Sequence, residues 1–296
     1  MRVTQPILPP WRSNPDETSR IGRPRPSVNE IVEWVRSRHR NASIETGVVI
    51  TSREVDASGF LAHTLGLPIW PAGRLLHLTG DADTAKTSYV LALIAAAQKI
   101  GKTCAYIDAD SSLDARWSAL LGVDHTELLY AAPSTVELVF ETARALCNVA
   151  QLIIIDTVTA LPDRVQLENE SILLDGQRRA SVLTHGVSML LHAAFASNTC
   201  VVMTSQRRSA YSTCAFHQYQ DVPAAPRALS HFASIEARMR VRSRSACTFD
   251  VEVYKSKYGQ LPPRSNVSFG AGGCLLLPRE ETRSSVSPFK RDIRLA

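Results

Sequence analysis

The sequence has no apolar run approaching the roughly 20 residues that a membrane-spanning helix needs. Its longest, such as Leu91 to Ala97 and Leu152 to Ile155, fall far short. No charged-then-apolar leader follows Met1, so the expectation is a cytoplasmic protein without a membrane partner. The cysteines, Cys104, Cys147, Cys200, Cys214, Cys247 and Cys274, form no CxxC pair, which argues against both a disulfide framework and a zinc site. No internal repeat is visible. What is present is a chain of 296 residues with 45% hydrophobic content, enough for one large α/β domain and a small appendage. The net charge is only +5, yet Arg and Lys crowd residues 20–40, 205–244 and 279–294. A polyanionic partner and a solvated charged surface both account for that distribution.

Pro6, Pro9, Pro10, Pro15, Pro24 and Pro26 resist regular structure, so residues 1–26 read as an extended arm. Ser27 and Glu30 form a capping box ahead of Val28, Ile31, Val32 and Val35, an apolar stripe at helical spacing that should end near His39. This helix and a linker fill residues 27–70, before a core at 71–277 and a polar tail at 278–296. Within the core, strands are expected at 75–78, 103–107, 152–155 and 200–204. Helices are expected at 88–100, 113–121, 134–150 and 180–196. That alternation predicts an α/β fold with a mainly parallel central sheet flanked by helices. The segment from 205 to about 227 reads as irregular. Strands at 235–241, 248–254 and 266–269, with no helices between them, predict antiparallel edge strands.

The segment Gly80-Asp81-Ala82-Asp83-Thr84-Ala85-Lys86-Thr87, followed by Ser88, matches a phosphate-binding P-loop at every defining position except Ala85. A strand feeds it and a helix leaves it, so backbone N–H groups and the helix dipole converge on a phosphate. Lys86 would reach the β and γ phosphates, and the Thr87 hydroxyl would bind Mg²⁺. Glycine is expected at position 85, where a methyl costs about 1 kcal/mol if the backbone needs positive φ. Asp81 and Asp83 bring negative charge toward a polyphosphate. Leu152 to Ile155 runs into Asp156, the pattern of a strand whose carboxylate serves the Mg²⁺ shell. A second strand ends in Asp108-Ala109-Asp110, offering a carboxylate to orient the attacking water. All these groups lie at carboxyl ends of strands, where parallel α/β sheets bind ligands. Gln206 is placed to feel a γ-phosphate.

Ala95-Ala96-Ala97-Gln98, the run from Gly101 through Lys102, Thr103, Cys104, Ala105, Tyr106, Ile107 and Asp108 to Ala109, and Leu113-Asp114 resemble the bacterial RecA recombinases. The resemblance extends more weakly from about Ser27 to Phe269, and short members of this kind are typical of phages. It implies ATP and Mg²⁺ as cofactors, with Lys86, Thr87, Asp156 and Gln206 in their family roles. It places Asp110 where the family has a glutamate, one methylene longer, and Trp117 where a tyrosine stacks on adenine. Lys255 and Lys257 match the pair that reaches a neighbouring protomer's ATP. Two DNA-facing loops are implied, at about 164–178 and at 207–227. Their candidate contacts are Arg178, Arg179, Arg207, Arg208, Tyr211, Phe216, His217, Tyr219 and Arg227, an interleaving of cations and rings suited to single strands. Ala224-Ala225-Pro226 replaces the family's glycine pair. Only 27 residues follow Phe269 in a chain of 296, too few for the family's C-terminal domain.

Three functions compete. A recombinase would form a homo-oligomeric filament on single-stranded DNA and engage duplex DNA during exchange, with DNA-dependent ATPase activity. A relative with weak hydrolysis would bind nucleotide or DNA as an accessory or filament protein, and Ala85, Asp83 and Asp110 favour it. A small-molecule kinase is disfavoured because nothing resembling a substrate lid is present.

Overall fold

The computed structural model describes residues 59–67, 70–157, 161–164, 176–210, 220–223, 227–259, 261–270 and 273–277. The expected arm, the helix from Ser27 to His39 and the polar tail lie outside those residues. Among the described residues, ten strands form one sheet: β1 Leu75–Gly80, β2 Cys104–Asp108, β3 Leu128–Ala131, β4 Leu152–Asp156, β5 Cys200–Ala210, β6 Gln220–Pro223, β7 Ile235–Ser243, β8 Thr248–Ser256, β9 Ser265–Gly270 and β10 Gly273–Leu277. Their order is β10-β9-β8-β7-β1-β5-β4-β2-β3, with β6 pairing only β5. The pairs from β7 through β1, β5, β4 and β2 to β3 are parallel. Those from β7 to β10 are antiparallel. The expected α/β class with antiparallel edge strands is the observed one.

Largely apolar runs make the central strands. Leu152-Ile153-Ile154-Ile155 is buried along its whole length because helices cover both faces of the sheet. On one face, α1 (Gly59–Leu65), α2 (Lys86–Lys99) and α3 (Ala115–Leu120) pack Phe60, Leu61, Leu91, Leu93 and Ile94 around Leu76, Leu78 and Ile154. On the other, α4 (Val136–Leu146), α5 (Gly176–Ser197) and α6 (Arg227–Phe232) pack Phe140, Leu183, Val187 and Leu229 around Leu75, Ile153 and Met203. Gly186 lets α5 approach α4, since a Cβ there would collide with the Phe140 ring. Ala180–Ser197 is long and apolar enough to cross a membrane by length and composition, at mean hydropathy 1.2. Its Leu183, Val187, Leu190 and Ala194 nevertheless form a buried core stripe.

The segment after residue 205 differs from expectation. β5 continues through Arg207 and Arg208 to Ala210, and β6 pairs it antiparallel, with Arg207 opposite Pro223 and Arg208 opposite Val222. Nothing in Gln206-Arg207-Arg208-Ser209-Ala210 breaks a strand, and the returning segment supplies the ladder partners. These arginines therefore stand on a hairpin stem. Likewise α5 starts at Gly176, so Arg178 and Arg179 occupy its first turn. Helices α1 and α6 and strands β3, β6 and β10 are additional to the elements expected.

Candidate nucleotide site

β1 feeds the loop beginning at Gly80, and α2 leaves it at Lys86. The residue before the helix, Ala85, offers no side-chain cap, so the leading N–H groups of α2 are left for a ligand in the loop. Gly80 is needed for close approach, because a Cβ would collide with Thr84 Oγ1 and crowd the Met239 carbonyl. Asp83 and Ala85 both adopt left-handed backbone with φ of 59°. Such geometry costs a residue bearing a Cβ about 1–2 kcal/mol, so position 85 does have the conformation that favours glycine.

Lys86 is buried, and its Nζ donates to the carbonyls of Asp81 at 2.7 Å and Gly80 at 3.2 Å. Burial lowers its pKa, against the raising influence of Asp156, Asp81 and Asp83. The Asp81 carboxylate is partly countered by Arg238 of β7, whose guanidinium lies 3.7 Å away.

Strand register assembles the acids. Asp108 pairs with Asp156 across β2 and β4, and Gly80 pairs with Gln206 across β1 and β5. Asp156 Oδ2 accepts from Thr87 Oγ1 at 2.7 Å and Tyr106 Oη at 3.1 Å. Its Oδ1 accepts from Thr204. Burial raises the Tyr106 pKa, and the Asp156 and Asp108 charges add to the effect. Asp108 instead builds the turn after β2, accepting from Ser112 N and Leu113 N at 3.1 Å and from Tyr130 Oη at 3.0 Å. Asp110 follows on the exposed side of that turn. Desolvation raises its pKa, with Asp156 and Asp108 contributing in the same direction.

Trp117 is half-buried on α3 and donates from Nε1 to Ser88 Oγ at 3.0 Å, which fixes the indole beside the first turn of α2. Gln206 is exposed. Lys255 on β8 donates to the Ser230 carbonyl of its own chain, and Lys257 is exposed just past β8. Arg178 pairs with buried Asp163. Arg207 and Arg208 lie on β5 and Arg227 opens α6, whereas Tyr211, Phe216, His217 and Tyr219 lie outside the described residues.

The structure thus gathers Gly80 to Ser88, Asp110, Asp156 and Gln206 at one end of the sheet, with Trp117 at its margin. It also brings Tyr106, Thr204 and Arg238 there, none of which was expected. A signal for Tyr106 exists: alternation along β2 puts it on the same face as Asp108. For Thr204 and Arg238 the signal is only strand adjacency.

The family model described as the RecA N-terminal domain matches residues 43–258. Protein RecA of Bordetella petrii is 41% identical over 108 residues, covering 36% of this chain and 30% of that protein. Protein RecA of Xanthomonas campestris pv. campestris is 32% identical over 196 residues, covering 65% of this chain and 57% of that protein. The chain therefore spans about half the length, or less, of these curated relatives. A domain match over most of the chain, on a sheet where the loop of residues 80–87 meets the strand-end carboxylate of Asp156, leads to one conclusion: the chain belongs to the RecA family.

Proposed function

We propose that the chain is an ATP-dependent recombination protein that assembles as a filament on single-stranded DNA and pairs it with duplex DNA. The observation that carries this reading is the 2.7 Å hydrogen bond from Thr87 to Asp156, which joins the P-loop to the end of β4. A hydroxyl and a carboxylate are hard oxygen donors suited to Mg²⁺, and the Gly80 cradle suits a phosphate. Bound Mg²⁺ would supply charge neutralisation at the phosphates. Lys86 exchanges its carbonyl partners for phosphate oxygens, Trp117 lies beside the base, and Gln206 meets the γ-phosphate. Asp110 accepts a proton from the attacking water. Its raised pKa makes it a stronger base than an ordinary aspartate.

Lys255 and Lys257 serve the neighbour's nucleotide, with residues 27–70 as a further filament contact. Arg178, Arg179, Arg207, Arg208, Tyr211, Phe216, Tyr219 and Arg227 serve DNA. The left-handed Ala85 supports a second reading, a filament protein that binds nucleotide but hydrolyses little. ATP hydrolysis measured with and without single-stranded DNA separates the two. Stimulated turnover supports the recombinase, and binding without turnover supports the second reading. Wild-type behaviour in Lys86→Ala contradicts both.

A further inference from the structure

Apart from the acids at the nucleotide site, the interior of the sheet holds a second buried polar cluster. His77 on β1 is 1% exposed and Glu236 on β7 is 2% exposed, while Ser205 on β5 is fully buried. His77 Nδ1 lies 3.0 Å from Glu236 Oε1, and its Nε2 lies 2.7 Å from Ser205 Oγ. The second oxygen of Glu236 accepts from Ser230 Oγ at 2.8 Å. The Ser230 carbonyl in turn accepts from the Lys255 ammonium. Burial opposes ionisation of Glu236, but the bonds from His77 and Ser230 and the Lys255 charge outweigh it, holding the carboxyl below its ordinary value. An ionised Glu236 accepts from Nδ1–H, which leaves Nε2 to pair with the Ser205 hydroxyl.

A histidine and a glutamate inside a sheet are expensive relative to apolar residues of similar size, and add little stability for that expense. What the cluster does contribute is connection. Ser205 directly precedes Gln206, so its hydroxyl fixes the last inward-facing residue before the γ-phosphate group. At the other end hangs Lys255, the group assigned to the neighbour's nucleotide. The bonded path therefore crosses β5, β1 and β7 to α6 and β8, and its two ends are the groups that would approach ATP from opposite sides of a protomer interface.

We propose that His77 is a positioning residue for nucleotide turnover, setting Gln206 through Ser205 and Lys255 through Glu236 and Ser230. The inference rests on the ATPase reading above. Its function is to align groups that act on phosphate, so it governs kcat and leaves nucleotide affinity to the P-loop.

The test uses the full chain, with a fluorescent ATP analogue for affinity, DNA-stimulated hydrolysis for kcat and thermal unfolding for integrity. His77→Leu should retain analogue affinity within about threefold and lose about tenfold or more in kcat. His77→Gln should recover much of that loss, since its amide can donate to Glu236 and accept from Ser205. Combined with Lys255→Ala, His77→Leu should cost less than the product of the single losses, because the two act along one path. Equal kcat in wild type and His77→Leu overturns the inference, as does an equal loss in the Leu and Gln variants. If His77→Leu does not fold, Ser205→Ala must show the same selective loss of kcat, and an unchanged kcat there overturns it. A wild-type chain that binds no analogue overturns the ATPase reading itself, a result distinct from normal binding with an insensitive His77.

Discussion

Replacing Ala85 by glycine separates the stability of the phosphate loop from its competence. At φ of 59° and ψ of 31°, the alanine carries about 1–2 kcal/mol of left-handed strain that glycine would relieve. Glycine also loses more chain entropy on folding, about 0.5–1 kcal/mol. The methyl is packed against the core around α2, so its removal forfeits part of the roughly 0.8 kcal/mol of a buried methylene. These contributions nearly cancel. Ala85→Gly should therefore shift Tm by no more than about 2–4 °C, the response to 1 kcal/mol in a domain of this size. The benefit should appear with nucleotide bound, where backbone and phosphate can approach without a methyl between them. A relief of about 0.7–1.4 kcal/mol in the bound state corresponds to roughly threefold to tenfold tighter ATP binding. Calorimetric titration with a non-hydrolysable analogue, beside a thermal melt, measures both quantities. Unchanged or weaker binding would show that the loop has adapted to the methyl, and the reasoning from positive φ would fail.

Lys86→Ala should abolish hydrolysis and weaken ATP binding by about tenfold or more, read in the same titration, because no other described side chain donates charge from within the loop. Asp110→Glu should raise kcat by lengthening the reach of the carboxylate, and steady-state hydrolysis reads this directly. Because desolvation raises the Asp110 pKa in the metal-free chain, the acid limb of the kcat/KM profile, which reports the free protein, should lie above the range of an ordinary aspartate, with kcat/KM falling as pH drops and the base protonates. Glu236 has the opposite shift: its contribution to stability is complete above the unfolded pKa and is lost as pH falls through the lower folded value. The stability gap between wild type and Glu236→Gln should therefore narrow below about pH 4, as measured by denaturant titration across pH.

How much was legible depends on how local the signal is. The strand, turn and helix around residues 80–87 could be read because they are consecutive in the chain and Lys86 and Thr87 sit at fixed spacing from Gly80. β4 could be read because four aliphatic residues end in Asp156. β3 was not, since Leu128–Ala131 is a short, half-exposed edge strand without a clean alternation. The extension of β5 was hidden because its partner, β6, lies beyond a long intervening segment and only pairing reveals it. The cluster at His77 is the extreme case. Its partners stand 159 and 128 residues away, and neither a lone histidine in β1 nor a lone glutamate in β7 carries any local mark of the other.

Nucleotide-dependent assembly on DNA can be seen by electron microscopy of the full chain with single-stranded DNA, Mg²⁺ and a non-hydrolysable ATP analogue. Regular filaments that need nucleotide are expected, with DNA affinity falling as salt rises at a log–log slope of about −0.7 per phosphate contacted. Monomers alone, with no DNA binding even at low salt, would contradict it.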